Sequence, residues 1–147
     1  SLNEVRLEFA DDGVLEKANK LYLHLWSAGI PGMGHTNISK LLALSLPDLC
    51  VMWDDRVRKE FLHSFPRCPG FPKRPQLHSD YYRFLMHRRQ VANELVNQVV
   101  QKKGINTDEA VAWLCQLPLN FTSQGREKPL AKLLDEYYYH KSRRSYS

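Results

Sequence analysis

The sequence lacks the features that would place it in several specialised classes. No apolar run approaches the roughly 18 residues that a membrane-spanning helix needs, and no internal repeat or low-complexity tract is visible. The opening segment, SLNEVRLEFADDG, does not show the basic and then apolar order of a secretory signal peptide. These absences predict an intracellular protein, of the cytoplasm, nucleoid or nucleus, that has no membrane partner.

Cysteine is scarce, with only Cys50, Cys68 and Cys115 present and no CxxC spacing. An odd count without paired spacing argues against a disulfide framework and against a cysteine-ligated zinc or iron–sulfur site. Free cysteine usually behaves as a small core residue, and a reducing compartment fits its use here. We therefore predict buried, inert cysteines, no metal site and no bound cofactor.

Alternation of apolar and polar residues with period two is almost absent, which leaves little room for strands. The exception is residues 4–9, the one segment whose alternation leaves room for a small strand. Helical spacing dominates the rest, and 147 residues are about the size of one domain. We predict a single compact all-α domain, residues 1–147, of about six helices. They are expected to start near residues 11–13, at Thr36, after Asp54, at Asp80, at Thr107 and at Pro129.

Basic residues are concentrated in one part of the chain. Between Arg56 and Arg89 lie nine lysines and arginines and two acidic residues, a balance of +7, whereas the whole chain carries +5. Residues 64–79 of this stretch hold four prolines and are predicted to form an irregular basic loop. Such a stretch is either a phosphate-binding stripe or a surface that the fold balances with acidic neighbours. The polar tail, residues 141–147, is predicted to be disordered.

A glycine turn, IPGMG, separates the first two predicted helices. Gly32 and Gly34 permit positive φ and a close approach of another backbone, and Met33 between them is expected to turn onto the core. The amides that open the next helix then have no partners, and the helix dipole favours an anion there. The hairpin of residues 30–35 is therefore predicted to hold a phosphate.

The letters IPGMG resemble the core of the helix-hairpin-helix motif, and residues 26–59 resemble helix-hairpin-helix DNA glycosylases more broadly. In that family a catalytic aspartate opens a helix downstream of the second glycine. Here Asp54, in the segment WDDRVR, stands twenty positions after Gly34. Thr36 occupies the position of the lysine that backbone-cleaving members carry. The resemblance implies a monofunctional glycosylase without lyase activity, in which the Asp54 carboxylate stabilises positive charge on the sugar.

The resemblance also implies a partner and a set of site residues. The partner would be double-stranded DNA held by its backbone, with an extruded base stacked in a pocket. A monovalent cation or a phosphate would sit at the hairpin. Expected DNA contacts are Gly32, Met33, Gly34, His35, Thr36, Ser39, Lys40, Arg56, Arg58, Lys73 and Arg74. Expected stacking faces are drawn from Trp53, Trp26, Tyr81 and Tyr82.

Three interpretations stay open at this point. The chain is a glycosylase, a DNA-binding module without chemistry, or a protein-interaction domain in which the hairpin only connects two helices. A role for Asp54 as a helix N-cap accounts for its position and is compatible with catalysis. The sequence sets neither the base that would be excised nor the oligomeric state.

Overall fold

A computed structural model describes residues 1–66, 76–116 and 128–144. Across these ranges the protein is all-α, as predicted, with six α-helices, two short 3₁₀ turns and no strand. No helix in the described residues is both long and apolar enough to cross a membrane. The helices are α1 (Asp12–Ser27), α2 (His35–Ser45), α3 (Asp55–Ser64), α4 (Gln76–Lys103), α5 (Thr107–Cys115) and α6 (Leu130–Arg144).

Three helices begin at side-chain caps, each of which satisfies a backbone N–H that the helix leaves without a partner. The predicted role of Asp54 as an N-cap is confirmed. Asn106, rather than Thr107, caps α5. The capping bonds are Val14 N to Asp11 Oδ1 at 2.8 Å, Val57 N to Asp54 Oδ1 at 2.9 Å and Glu109 N to Asn106 Oδ1 at 2.8 Å.

The long helix α4 is the central helix of the domain and contacts α1, α5 and α6. Its buried face meets the segment between α2 and α3 at Trp53, whose ring centroid lies 4.4 Å from that of Phe84. Cys50 and Cys115 are buried thiols, as predicted, and Cys68 lies outside the described residues. The buried residues of α4 with the largest side chains are Tyr81, Phe84 and Leu85.

The predicted loop of residues 64–79 and the predicted helix start at Asp80 are wrong at both ends. Helix α3 includes residue 64, and α4 begins at Gln76, directly after the last proline of the segment. Once that proline is passed, nothing in the sequence interrupts helical hydrogen bonding. Asp80 lies inside α4 and is fully buried, 3.3 Å from Arg83 Nη1. Residues 67–75 of the predicted loop lie outside the described residues.

Two terminal predictions also need correction. Residues 4–9 form no strand but lie between and within two 3₁₀ turns, Leu2–Glu4 and Leu7–Phe9, and the Leu7 N–H donates to the Asp48 carbonyl at 2.8 Å. The tail is helical through Arg144, and Ser142 is buried. Contacts between the end of α6 and α3 hold this turn in place. Residues 145–147 lie outside the described part of the chain.

Candidate nucleic-acid interface

The connection between α1 and α2 is a tight glycine turn. Gly29 and Gly32 adopt the left-handed region, with φ of 62° and 78°, which side chains with a Cβ rarely occupy. Gly34 is instead extended, with φ −80° and ψ 179°, and it is the N-cap residue of α2. The helix therefore begins at His35, one residue before the predicted Thr36. The half-buried Met33 packs against the core, as expected.

The first turn of α2 leaves its leading amides open. Gly34 provides no side chain to cap them. The side chain of Asn37 does not cap them either, because its Nδ2 donates to the Gly32 carbonyl at 2.7 Å. A Cβ added at Gly34 would meet no described atom within 4 Å, so among the described residues there is room beside the start of α2. The positive end of the helix dipole therefore faces a gap that an anion can enter.

Ser39 does not belong to this open surface, although it was predicted to contact DNA. It is fully buried, its hydroxyl donates to the Thr36 carbonyl, and the same oxygen accepts from Trp53 N, with both distances 2.9 Å. Ser39 therefore ties the first turn of α2 to the segment before α3. Thr36 itself is half-buried, and Lys40 is exposed on α2.

A column of stacked rings runs from the hairpin into the core. Trp26 lies over His35 with a centroid distance of 3.7 Å, and Tyr22 lies over Tyr81 at 4.2 Å. The Tyr22 hydroxyl and His35 Nδ1 form a hydrogen bond that joins the two pairs. Partial burial, together with the nearby positive charge of Arg58, lowers the pKa of His35, so its ring is neutral near pH 7. The column fixes the orientation of His35 beside the open amides.

The four predicted stacking residues differ in their exposure to solvent. Trp26 is 40% exposed and Tyr82 is half-buried. Trp53 and Tyr81 are fully buried in the core, because the segment before α3 and the inner face of α4 pack directly together. Neither of these two rings offers a face to an extruded base.

Asp54 is engaged through both carboxylate oxygens. Oδ1 caps α3, and Oδ2 accepts from Arg143 Nη2 at 3.3 Å. Only 7% of the residue is exposed. Two clefts lie elsewhere in the described residues, one of about 690 Å³ beside α4 and one of about 220 Å³ between α3, α4 and α6. Asp54 lines neither of them.

The basic stretch between Arg56 and Arg89 does not form one continuous stripe. Arg88 is 3% exposed, and its guanidinium carbon lies 3.3 Å from the centroid of the Tyr138 ring. Burial lowers the pKa of Arg88 to about 10, which still leaves it charged. Arg89 pairs with Asp12 at 2.6 Å and donates to a backbone carbonyl. Arg89 therefore fits the interpretation of a surface balanced by acidic neighbours, whereas Arg88 fits neither interpretation, because it is buried against aromatic rings.

Helix α3 carries the part of the stretch that faces solvent. Arg56 and Lys59 are exposed, and Arg58 forms an ion pair with Asp55, three residues earlier in the same helix. The Trp53 N–H, directly before α3, donates to Ser39 Oγ, which itself donates to Thr36 O, so the start of α3 lies close to the first turn of α2. Arg56 and Arg58 lie in the first turn of α3. Lys73 and Arg74 lie outside the described residues.

The sequence interpretation missed the end of α6. Lys141 Nζ lies 3.6 Å from Glu60 Oε1, and Arg143 contacts Asp54, so this turn lies against α3. The sequence signal was weak, because Ser142, four residues after Tyr138 of the predicted helix, keeps the helical spacing but is not apolar. In the ranges that the structure describes, no three His, Cys, Asp or Glu residues come close enough to hold a metal ion.

Comparison with known proteins adds no relative. No protein-family model matches the chain, and neither a curated protein nor a solved structure is found to match it. The functional proposal therefore depends on the geometry described above and on the resemblance carried by residues 26–59.

Proposed function

We propose that this protein binds double-stranded DNA by its phosphate backbone, at the start of α2 and along the exposed side of α3. The observation that carries the proposal is the uncapped first turn of α2, which faces open space beside an exposed basic helix. A phosphate there receives backbone N–H groups and the favourable end of the helix dipole. Arg56 and Lys59 are placed to meet neighbouring phosphates.

Such contacts position a duplex without reading its sequence. Binding is then driven by the release of condensed counterions, and the logarithm of the association constant falls linearly with the logarithm of the salt concentration. The slope is about −0.9 for each phosphate neutralised on B-form DNA. The two cations Arg56 and Lys59 therefore give a slope of about −1.8, to which the uncharged amides of the hairpin add little.

The geometry favours binding without base excision. A glycosylase needs a carboxylate beside the sugar and a pocket for the extruded base. The oxygens of Asp54 already hold a helix amide and Arg143, and no described cleft reaches them. We assign Asp54 to the stability of α3 and to anchoring the end of α6.

The test is a titration of a labelled duplex at several salt concentrations, together with an assay for free base released from a panel of damaged duplexes. Salt-dependent binding without base release supports the proposal. Base release by the natural protein that disappears in Asp54→Asn, a variant that retains a capping oxygen, would establish the glycosylase instead. Binding that is absent at low salt overturns both and favours the protein-interaction interpretation.

A further inference from the structure

The last turn of α6 is basic and lies beside α3. Lys141 lies 3.6 Å from Glu60, and Arg143 lies 3.3 Å from Asp54. Residue 143 meets residue 54, whereas residue 141 meets residue 60, so α6 and α3 run antiparallel. The end of α6 therefore lies near the start of α3, which is also the part of α3 beside the hairpin.

Helix α3 begins close to α2, because the Trp53 N–H donates to Ser39 Oγ, and it contacts α6. Arg58 lies on one flank of α3, and Glu60 meets α6 on the other. Successive residues of an α-helix are rotated by about 100°, as 3.6 residues complete a turn. Arg56 and Lys59 therefore point between these two flanks, and both are exposed. The cations form a continuous path from the hairpin, across α3, to the end of α6.

The balance of charge along this path is positive. The three carboxylates on it, Asp54, Asp55 and Glu60, are all paired with cations of the same surface. The same surface carries twice as many cations as carboxylates, so its formal charge is positive, and the exposed cations can face a polyanion. The six are Arg56, Arg58, Lys59, Lys141, Arg143 and Arg144.

Arg143 and Tyr139 give this end of the surface a fixed geometry. The guanidinium carbon of Arg143 lies 3.4 Å from the centroid of the Tyr139 ring, and Nη1 donates to the Tyr139 carbonyl at 3.3 Å. The stacked guanidinium is held in one orientation, and its outer nitrogens already donate to Tyr139, Ser142 and Asp54. Arg143 therefore anchors this turn to α3, and Lys141 and Arg144 lie in the same turn.

We propose that the last turn of α6 is a second contact for the phosphate backbone of DNA, on the far side of α3 from the hairpin. This inference rests on the proposed function and adds a part of the surface that the family resemblance does not reach. Packed helices lie about 8–10 Å apart, and α6 packs on α3, so a duplex that meets the exposed side of α3 can reach the last turn of α6.

The test compares charge-matched double variants of the full chain. Lys141→Ala with Arg144→Ala removes two cations from the end of α6 and leaves Arg143 on Asp54. Lys17→Ala with Lys20→Ala removes two exposed cations from α1 and is the control. Lys141→Arg with Arg144→Lys keeps both charges. Thermal melting and helical circular dichroism establish that each variant is folded.

We expect the α6 double alanine variant to bind a labelled duplex about tenfold more weakly at moderate salt, with a salt slope shallower by about 1.8. The α1 control and the charge-preserving variant retain the natural slope. If the α6 variant keeps the natural slope while a hairpin variant loses binding, the second contact is refuted and the proposed function stands. If the natural protein shows no salt-dependent binding, both fail. If the α6 alanine variant melts early while the charge-preserving variant is stable and binds normally, the comparison of slopes is made with Lys141→Gln and Arg144→Gln.

Discussion

Replacement of Gly34 by aspartate separates the anion-binding role of the hairpin from its structural role. Gly34 is the N-cap of α2, in an extended conformation that any residue adopts, and a Cβ there would meet no described atom within 4 Å. Aspartate is among the preferred N-cap residues, because its carboxylate accepts from the free amides of the first turn. In Gly34→Asp the new carboxylate therefore occupies the position at the start of α2 that we assign to a phosphate.

The expected effects on folding and on binding have opposite signs. Exchange of glycine for a good N-cap residue stabilises a helix by a few tenths of a kcal/mol, so the variant folds at least as well as the natural protein. A favourable anion at a helix N-terminus contributes about 1–2 kcal/mol when partly buried. Loss of that contact weakens DNA binding about tenfold, and repulsion between the new carboxylate and the backbone adds to the loss.

The assay is fluorescence anisotropy with a labelled duplex at three or more salt concentrations, accompanied by urea denaturation of each variant. Gly34→Asn is the matched control, because asparagine caps the helix as well as aspartate but adds no charge. Gly34→Ala is a second control that adds a Cβ without a capping oxygen. We expect the order of affinity to be alanine, then asparagine, then aspartate, with no loss of stability in the last two.

A Gly34→Asp variant that is folded and binds DNA as tightly as the natural protein would refute the reasoning. It would mean that the open amides of α2 meet no phosphate. Equal weakening by alanine and aspartate would point to a steric effect at the turn rather than to competition with an anion.

The remaining predictions concern residues that hold the site in place. Asp54→Ala removes a helix cap and lowers the free energy of unfolding by about 1–2 kcal/mol, measured by urea denaturation, while the folded variant still binds DNA; a loss of binding without a loss of stability would contradict this. Ser39→Ala leaves the buried Trp53 N–H without its acceptor and costs about 1–3 kcal/mol, whereas a neutral result would show that another group replaces the hydroxyl. Burial raises the pKa of Asp135 from 3.8 to about 6, so the folded state holds this proton more tightly than the unfolded chain. Its contribution to stability is greatest below pH 4, declines as the pH rises towards 6 and is lost above that. Asp135→Asn keeps an acceptor for Met52 N and should be more stable than the natural protein at pH 7 by about 3 kcal/mol at most, with no difference near pH 3; a variant less stable at pH 7 would refute the assignment.

Local features of the sequence predicted the local parts of the fold. The Asp54 cap depends on a bond to Val57, three positions away. Gly29 follows the end of α1 because glycine readily adopts a positive φ. Both follow from side-chain chemistry within one turn. The helical class follows from the spacing of apolar residues, which does not depend on how the helices pack.

The parts that the sequence interpretation missed depend on contacts between distant residues. The end of α6 is ordered by Arg143 and Asp54, which are 89 positions apart. Arg88 is withdrawn from the surface by Tyr138, from a different helix. A count of charges cannot distinguish an arginine stacked in the core from one that faces solvent, so the predicted basic stripe included both.

The most direct test of the central claim is an NMR titration of the protein, labelled with ¹⁵N, against a short duplex. We expect the amide signals of His35, Thr36 and Asn37 to shift first and furthest, together with those of α3 near Arg56. The amides around Lys17 and Lys20 on α1 should stay unchanged. Unshifted signals from the first turn of α2 in a sample that binds the duplex would contradict the claim that its open amides receive a phosphate.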